Sequence, residues 1–207
     1  QARDIDEVGV ELWRPAYGDG VWVVGGAGGT LLRSTDTEAW TGQASTSPVF
    51  YGVHLADGTT VAAGSGGVVA ELVDGRWEVL HQEVGRDELR SVGEIAGTWV
   101  VTGGDGNILT SADGATYERA STGVGAELWS AAGDDERIIV VGAGGTILTS
   151  TDQGATWTKV TSQNTTTLFS VTLGAAGYVA VGVDGVILHS PDGETWDEVG
   201  PLPSRGT

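Results

Sequence analysis

The chain has no cysteine, no methionine, one lysine (Lys159) and 5 prolines among 207 residues. Without cysteine there is no disulfide, no thiolate metal site and no thiol nucleophile. No apolar run approaches the roughly 18 residues that a membrane-spanning helix needs, and no basic-plus-apolar signal opens the chain as written. A start at Gln1 fits a processed protein and a shortened one equally. Basic residues are scarce: 10 Lys plus Arg stand against 28 Asp plus Glu, a net charge of −18. Such a surface repels phosphate backbones and anionic lipids, which argues against nucleic acid and against direct membrane insertion. The same acid-rich, lysine-poor balance is found in proteins of salt-loving microbes and in products of GC-rich genomes. His54, His81 and His189 are isolated, with no partner at helical or hairpin ligand spacing. No nucleophile elbow, phosphate loop or dinucleotide fingerprint is present, because the many G-x-G-G strings precede strands and not helices.

What the chain has in abundance is glycine, 35 residues without a Gly-X-Y period, which implies many tight turns and therefore many short strands. A repeat organises them. The segment Ser150-Thr151-Asp152-Gln153-Gly154-Ala155-Thr156-Trp157 has counterparts at Ser111 to Tyr117 and at Ser190 to Trp196. Two weaker copies run from Ser34 to Trp40, lacking the glycine, and from Val73 to Trp77, lacking the serine. The aspartates Asp36, Asp74, Asp113, Asp152 and Asp192 are separated by 38, 39, 39 and 40 residues. Each unit reads as four strands, clearest in the fourth copy, where they are expected at Leu128 to Ala132, Ile138 to Val141, Thr146 to Ser150 and Thr156 to Val160.

The turn residues explain the period mechanically. Asp and Ser side chains accept backbone N–H bonds, the following glycine tolerates a left-handed conformation, and the Trp or Tyr buries its ring beside the hairpin. Asp36, Trp40, Asp74, Trp77, Asp113, Tyr117, Asp152, Trp157, Asp192 and Trp196 are therefore expected to be structural. A four-stranded antiparallel sheet of this size cannot bury both faces alone, so copies must pack on one another. The expected fold is all-β: a single, closed, five-bladed β-propeller domain over 1–207, with four-stranded blades at about 10–44, 49–81, 88–121, 126–161 and 167–199. Closure is expected from blade five packing on blade one without a borrowed strand. An open stack would need polar caps, which neither end copy resembles.

The S-x-D-x-G-x-T-W turns, with the preceding Val140-Val141-Gly142-Ala143-Gly144-Gly145-Thr146-Ile147-Leu148 stretch, resemble the Asp-box (BNR-like) repeat propellers and are similar in particular to photosystem II stability and assembly factor-like propellers. The resemblance spans about residues 10 to 199. It implies a propeller fold and, for the assembly-factor group, noncatalytic binding through the loop face. Photosystem binding is not carried over, because the first-strand Arg positions are mostly replaced here.

The same superfamily contains sialidases, whose chemistry needs three converging arginines, an acid and a tyrosine-carboxylate pair. Arg14, in Trp13-Arg14-Pro15, resembles the arginine-proline motif that opens many sialidases, yet Arg33, Arg76, Arg119 and Arg137 fall on or beside outer strands and Arg90 occupies an aromatic position. The expected function is a noncatalytic binding or scaffold propeller with a protein partner, at the cell surface or in an extracellular or periplasmic space. The alternative is a carbohydrate-binding lectin or a sialidase-like glycosidase. Candidate channel-mouth binding residues are Glu11, Glu88, Glu127, Asp105 and Asp184. No cofactor is required, although such a ring of carboxylates would suit calcium. The first-strand aromatics Trp13, Tyr51, Trp129 and Phe169 either fill the space between blades or stack on sugar rings.

Overall fold

The computed structural model describes residues 11–43, 48–56, 58–74, 76–82 and 88–199. Gly75 and the expected limits of the first blade at 10 and 44 lie outside them. The first blade is β1 (Leu12–Gly18), β2 (Val21–Gly26), β3 (Leu31–Ser34) and β4 (Thr41–Gln43). The second is β5 (Phe50–Ala56), β6 (Thr59–Gly64), β7 (Val68–Val73) and β8 (Arg76–Gln82), and the third is β9 (Leu89–Ile95), β10 (Thr98–Gly103), β11 (Ile108–Ser111) and β12 (Glu118–Arg119). Then come β13 (Leu128–Gly133), β14 (Ile138–Gly142), β15 (Ile147–Ser150) and β16 (Thr158–Val160), followed by β17 (Leu168–Gly174), β18 (Gly177–Gly182), β19 (Ile187–Ser190) and β20 (Asp197–Glu198). Each blade is a four-stranded antiparallel sheet in simple sequence order, and the architecture is a five-bladed β-propeller.

Two local devices make the hairpins. Between the second and third strands lies a one-turn 3-10 segment with two successive left-handed residues, such as Gly144 (φ 64°) and Gly145 (φ 66°) in blade 4. A Cβ on Gly145 would run into the Asn164 carbonyl, so glycine is required there by close approach as well as by φ. In the turn between the third and fourth strands, Ser150 Oγ donates to Asp152 Oδ1 at 2.8 Å and accepts from the Gly154 N–H at 2.8 Å. Asp152 Oδ1 also accepts the Thr156 N–H at 2.8 Å, and the Trp157 indole donates to the Gly154 carbonyl at 3.0 Å. The Ser34–Asp36, Ser111–Asp113 and Ser190–Asp192 pairs make the same kind of turn. Blade 2 departs from it: Asp74 takes a left-handed conformation (φ 48°) in a tight β7–β8 connection, and the Trp77 indole N–H is buried without a partner while its ring packs on Phe50 at 4.6 Å.

The core lies between the blades. First strands pack on one another in the order β1, β5, β9, β13, β17, which places them innermost. One apolar cluster fills each of four junctions: Val23, Phe50 and Ala62 between blades 1 and 2, Val61, Leu89 and Val101 between 2 and 3, Val100, Leu128 and Val140 between 3 and 4, and Val141, Leu168 and Leu188 between 4 and 5. The junction of blade 5 with blade 1 differs from the expected closure. Among the described residues no fifth cluster forms there and β17 does not pack on β1 as the other first strands pack. Leu12 is 46% exposed, whereas its equivalents Phe50, Leu89, Leu128 and Leu168 are at most 1% exposed.

Two predictions follow from these contacts. The carboxyls of Asp36, Asp113, Asp152 and Asp192 are held below the ordinary aspartate value, chiefly by the N–H groups or, for Asp152, the Thr156 hydroxyl that they accept; Asp113 is lowered to about 2. Because the folded state favours the ionised form, this stabilisation is complete above the unfolded pKa of about 3.9 and is lost as pH falls through the folded values. Thermal melts should therefore show Tm falling between about pH 4 and pH 2, and Asp113→Asn should lower Tm at pH 7 while flattening that acid limb. The second concerns Val141 and Val181, which occupy the same strand position in blades 4 and 5 but are 0% and 41% exposed. Val141→Asp should lower Tm by about 10 °C or more, whereas Val181→Asp should move it by no more than about 2 °C.

Candidate functional site

Each first strand carries a β-bulge near its start, and the bulge turns one residue out of the sheet register toward its neighbours. The bulged residues are Tyr51, Arg90, Trp129 and Phe169 in blades 2 to 5; in blade 1 the bulge slides by one residue, to Arg14. Trp13, Tyr51, Arg90, Trp129 and Phe169 form a stacked arc that follows the order of the blades. The Trp13 and Tyr51 rings lie 5.2 Å apart, Arg90 Cζ is 5.0 Å from the Tyr51 ring and 4.8 Å from the Trp129 ring, and the Trp129 and Phe169 rings meet edge to face at 5.6 Å. Arg14 Nη2 then donates to the Phe169 carbonyl at 3.2 Å, from blade 1 to blade 5.

The carboxylates beside this arc have a specific task. Arg90 Nη2 contacts Glu88 at 2.7 Å and Glu127 at 2.6 Å, Arg90 Nε donates to Glu127 Oε1 at 2.8 Å, and the Tyr51 hydroxyl donates to Glu88 Oε1 at 3.0 Å. A guanidinium held between two rings and two carboxylates gains from cation–π attraction and from charge-assisted hydrogen bonds together, each worth roughly 1–2 kcal/mol in such a partly desolvated place. The two glutamates and Arg90 leave one net negative charge at this spot. Burial, then the Glu88 contact, pushes the Tyr51 phenol above its ordinary value.

The five candidate mouth residues thus divide. Glu88 and Glu127 are brought together through Arg90. Glu11, Glu88 and Glu127 share a backbone role, since their carbonyls accept the N–H of Ala27, Gly104 and Ala143 at 2.9, 3.1 and 2.8 Å, which puts them on the face of the glycine turns. Asp105 (φ 52°) and Asp184 (φ 58°) occupy the first left-handed position of their turns, where the other three blades have glycine, so backbone geometry accounts for them. Among the described residues no three His, Asp or Glu side chains gather as a cation site, and the calcium expectation finds no geometry there. His54 packs edge-on against Trp99 at 5.7 Å and burial lowers its pKa, while a ring nitrogen of His189 lies 3.0 Å from the Ala176 carbonyl.

Arginine convergence of the glycosidase type is absent among the described residues. Arg33, Arg76 and Arg119 lie on β3, β8 and β12, and Arg137, in the turn between β13 and β14, is engaged by Glu194 at 2.6 Å and Thr149 at 3.2 Å. The aromatics are half-buried between blades, except that Phe169 is 43% exposed. The Trp129 indole N–H is buried and has no partner. What sequence reasoning missed is the Arg90 clamp itself; the signal was a lone arginine at an aromatic position of the repeat, preceded two residues earlier by Glu88.

No protein-family model and no curated protein matches the sequence. Solved structures do match. One described as "YCF48 bound to D1 peptide" superposes with a TM-score of 0.71 at 13% identity, covering 93% of this chain and 67% of that one. YCF48 from Cyanidioschyzon merolae gives 0.67 at 18% identity, covering 94% and 71%. A chain in a nidogen/laminin complex gives 0.69 at 16% identity, covering 91% and 78%. At these identities the likeness establishes fold, and the fold is a β-propeller similar to those of YCF48.

Removing one member of the clamp should be visible in its neighbours. Glu88→Gln should bring the Tyr51 phenol down toward 10, the usual tyrosine value, in an ultraviolet titration. Arg90→Met should cost roughly 2 kcal/mol, because two carboxylates are left facing each other, and should lower Tm by about 5 °C.

Proposed function

We propose that this protein is a noncatalytic binding propeller whose partner is another protein, engaged at the inner arc on the glycine-turn face. The observation that carries the reading is the arc itself: aromatic rings and one guanidinium, locked by stacking and ion pairs, with Phe169 left open to solvent. Rigid aromatics and arginine are the residue types that dominate protein-binding hot spots, because they offer a large contact area for little loss of conformational entropy. Two of the matched structures are described as complexes, one with a peptide and one between two proteins, which supports a binding role for this shape. The turns between third and fourth strands belong to this reading as Asp boxes that brace the scaffold: their Ser, Asp and Trp side chains are consumed by local hydrogen bonds.

The test is capture from the source cells with a tagged protein, comparing wild type with Trp13→Ala and Phe169→Ala, followed by binding measurements on the purified partner. Both variants should keep the wild-type fold by circular dichroism and weaken the partner at least tenfold. Unchanged capture by both would remove this surface, and capture abolished by deglycosylating the partner would turn the reading to carbohydrate.

A further inference from the structure

The inner arc already holds one cation, and the way it does so is specific. Arg90 Cζ lies 5.0 Å from the Tyr51 ring and 4.8 Å from the Trp129 ring, while Glu88 and Glu127 meet the guanidinium at 2.7 and 2.6 Å. A ring face beside a carboxylate attracts a guanidinium or an ammonium group by two mechanisms at once. Phe169 continues the arc beyond Trp129 and is 43% exposed. The charge around it is mostly of one sign. Where a backbone carbonyl receives a glycine-turn N–H, three blades carry Glu11, Glu88 and Glu127 and the other two carry Val49 and Thr167. Two of the turns add Asp105 and Asp184. Against these five carboxylates the bulges supply two guanidiniums, Arg14 and Arg90, which leaves a net charge of −3. Arg90 is taken up by Glu88 and Glu127, and Arg14 donates to the Phe169 carbonyl, whereas Glu11, Asp105 and Asp184 are exposed. The glycine turns and the connecting segments 120–127 and 161–167 contain no lysine or arginine.

We infer, building on the protein-binding reading and resting on it, that the partner engages this arc with a basic segment. An arginine or lysine side chain of that segment stacks on Phe169, and its flanking positive charges face Glu11, Asp105 and Asp184. Charge complementarity selects this occupant. An acidic segment would be repelled by the net −3 of this face and by the −18 of the whole chain. A wholly apolar segment would cover exposed carboxylates without pairing them, which carries the cost of desolvating an unpaired charge. A basic segment meets neither penalty, and the field of an acidic face raises its rate of encounter. Arg90 does not oppose it, because Glu88 and Glu127 together outweigh that one positive charge. The clamp is then a rigid part of the platform on which the incoming cation lands.

The test uses the 207-residue chain and two short fluorescein-labelled peptides, repeated Gly-Arg-Ser and repeated Gly-Glu-Ser, read by fluorescence anisotropy. The arginine peptide should bind and the glutamate peptide should not. Its Kd should rise at least about tenfold between about 50 and about 500 mM salt, because exposed charge pairs are screened. Phe169→Ala should weaken it about fivefold. The triple variant Glu11→Gln, Asp105→Asn, Asp184→Asn should weaken it at least about tenfold; asparagine keeps the left-handed backbone that Asp105 and Asp184 adopt, so the turns stand. A control triple, Glu38→Gln, Asp135→Asn, Glu136→Gln, removes the same charge from exposed positions in the β3–β4 and β13–β14 turns, at the other end of the strands, and should change Kd by less than about twofold. Equal losses from the two triple variants assign the binding to net charge alone and overturn the inference, as does an arginine peptide that fails to bind at about 50 mM salt. Capture from the source cells separates the two claims. A partner that needs Trp13 and Phe169 but is unmoved by the Glu11, Asp105 and Asp184 variant keeps the protein-binding reading and overturns the basic segment. Capture indifferent to Trp13 and Phe169 removes that reading and the basic segment with it.

Discussion

A four-stranded sheet has two faces and cannot bury either by itself, and the whole molecule is the consequence. Apolar residues alternate along the second and third strands so that both faces of one blade are sticky, as Val140 and Val141 are toward blades 3 and 5. Phe50, Leu89, Leu128 and Leu168 on the first strands are fully buried at the junctions, together with second- and third-strand residues such as Val61, Ile139 and Leu148. Packing face on face places the first strands at the centre and leaves the fourth strands outside.

That same arrangement produces the candidate site. Bulges at the first strands aim one large side chain per blade along the inner surface, and consecutive blades bring those side chains within stacking distance. Arg90 is the one cation held within the stacked arc, and the carboxylates that precede β9 and β13 close on it from both sides. An acidic rim read in isolation would be a place for a cation; with Arg90 in it, the cation is already supplied by the chain.

The repeat was legible because it rests on local chemistry. Ser-x-Asp turns, left-handed glycines and alternating apolar strands each act within about ten residues, and the strands expected in the fourth unit lie within two residues of those observed at β13 to β16. The Arg90 clamp was not legible in that way: Tyr51, Arg90 and Trp129 stand about one repeat apart, and only the bulge register and the blade spacing bring them together. Blade 1 shows how sensitive this is, since a bulge displaced by one residue exchanges Trp13 for Arg14.

By itself the sequence determined the number of units, the strands within each and the chemistry of the Ser-x-Asp turns of blades 1, 3, 4 and 5, because these depend on neighbours along the chain. Tertiary structure alone decided what identical positions experience: Val141 is sealed and Val181 open, though both occupy one register position of the same repeat. The physical reason is that burial belongs to a pair of faces and not to a residue. Whether a side chain becomes core, binding surface or open seam depends on which blade stands opposite it.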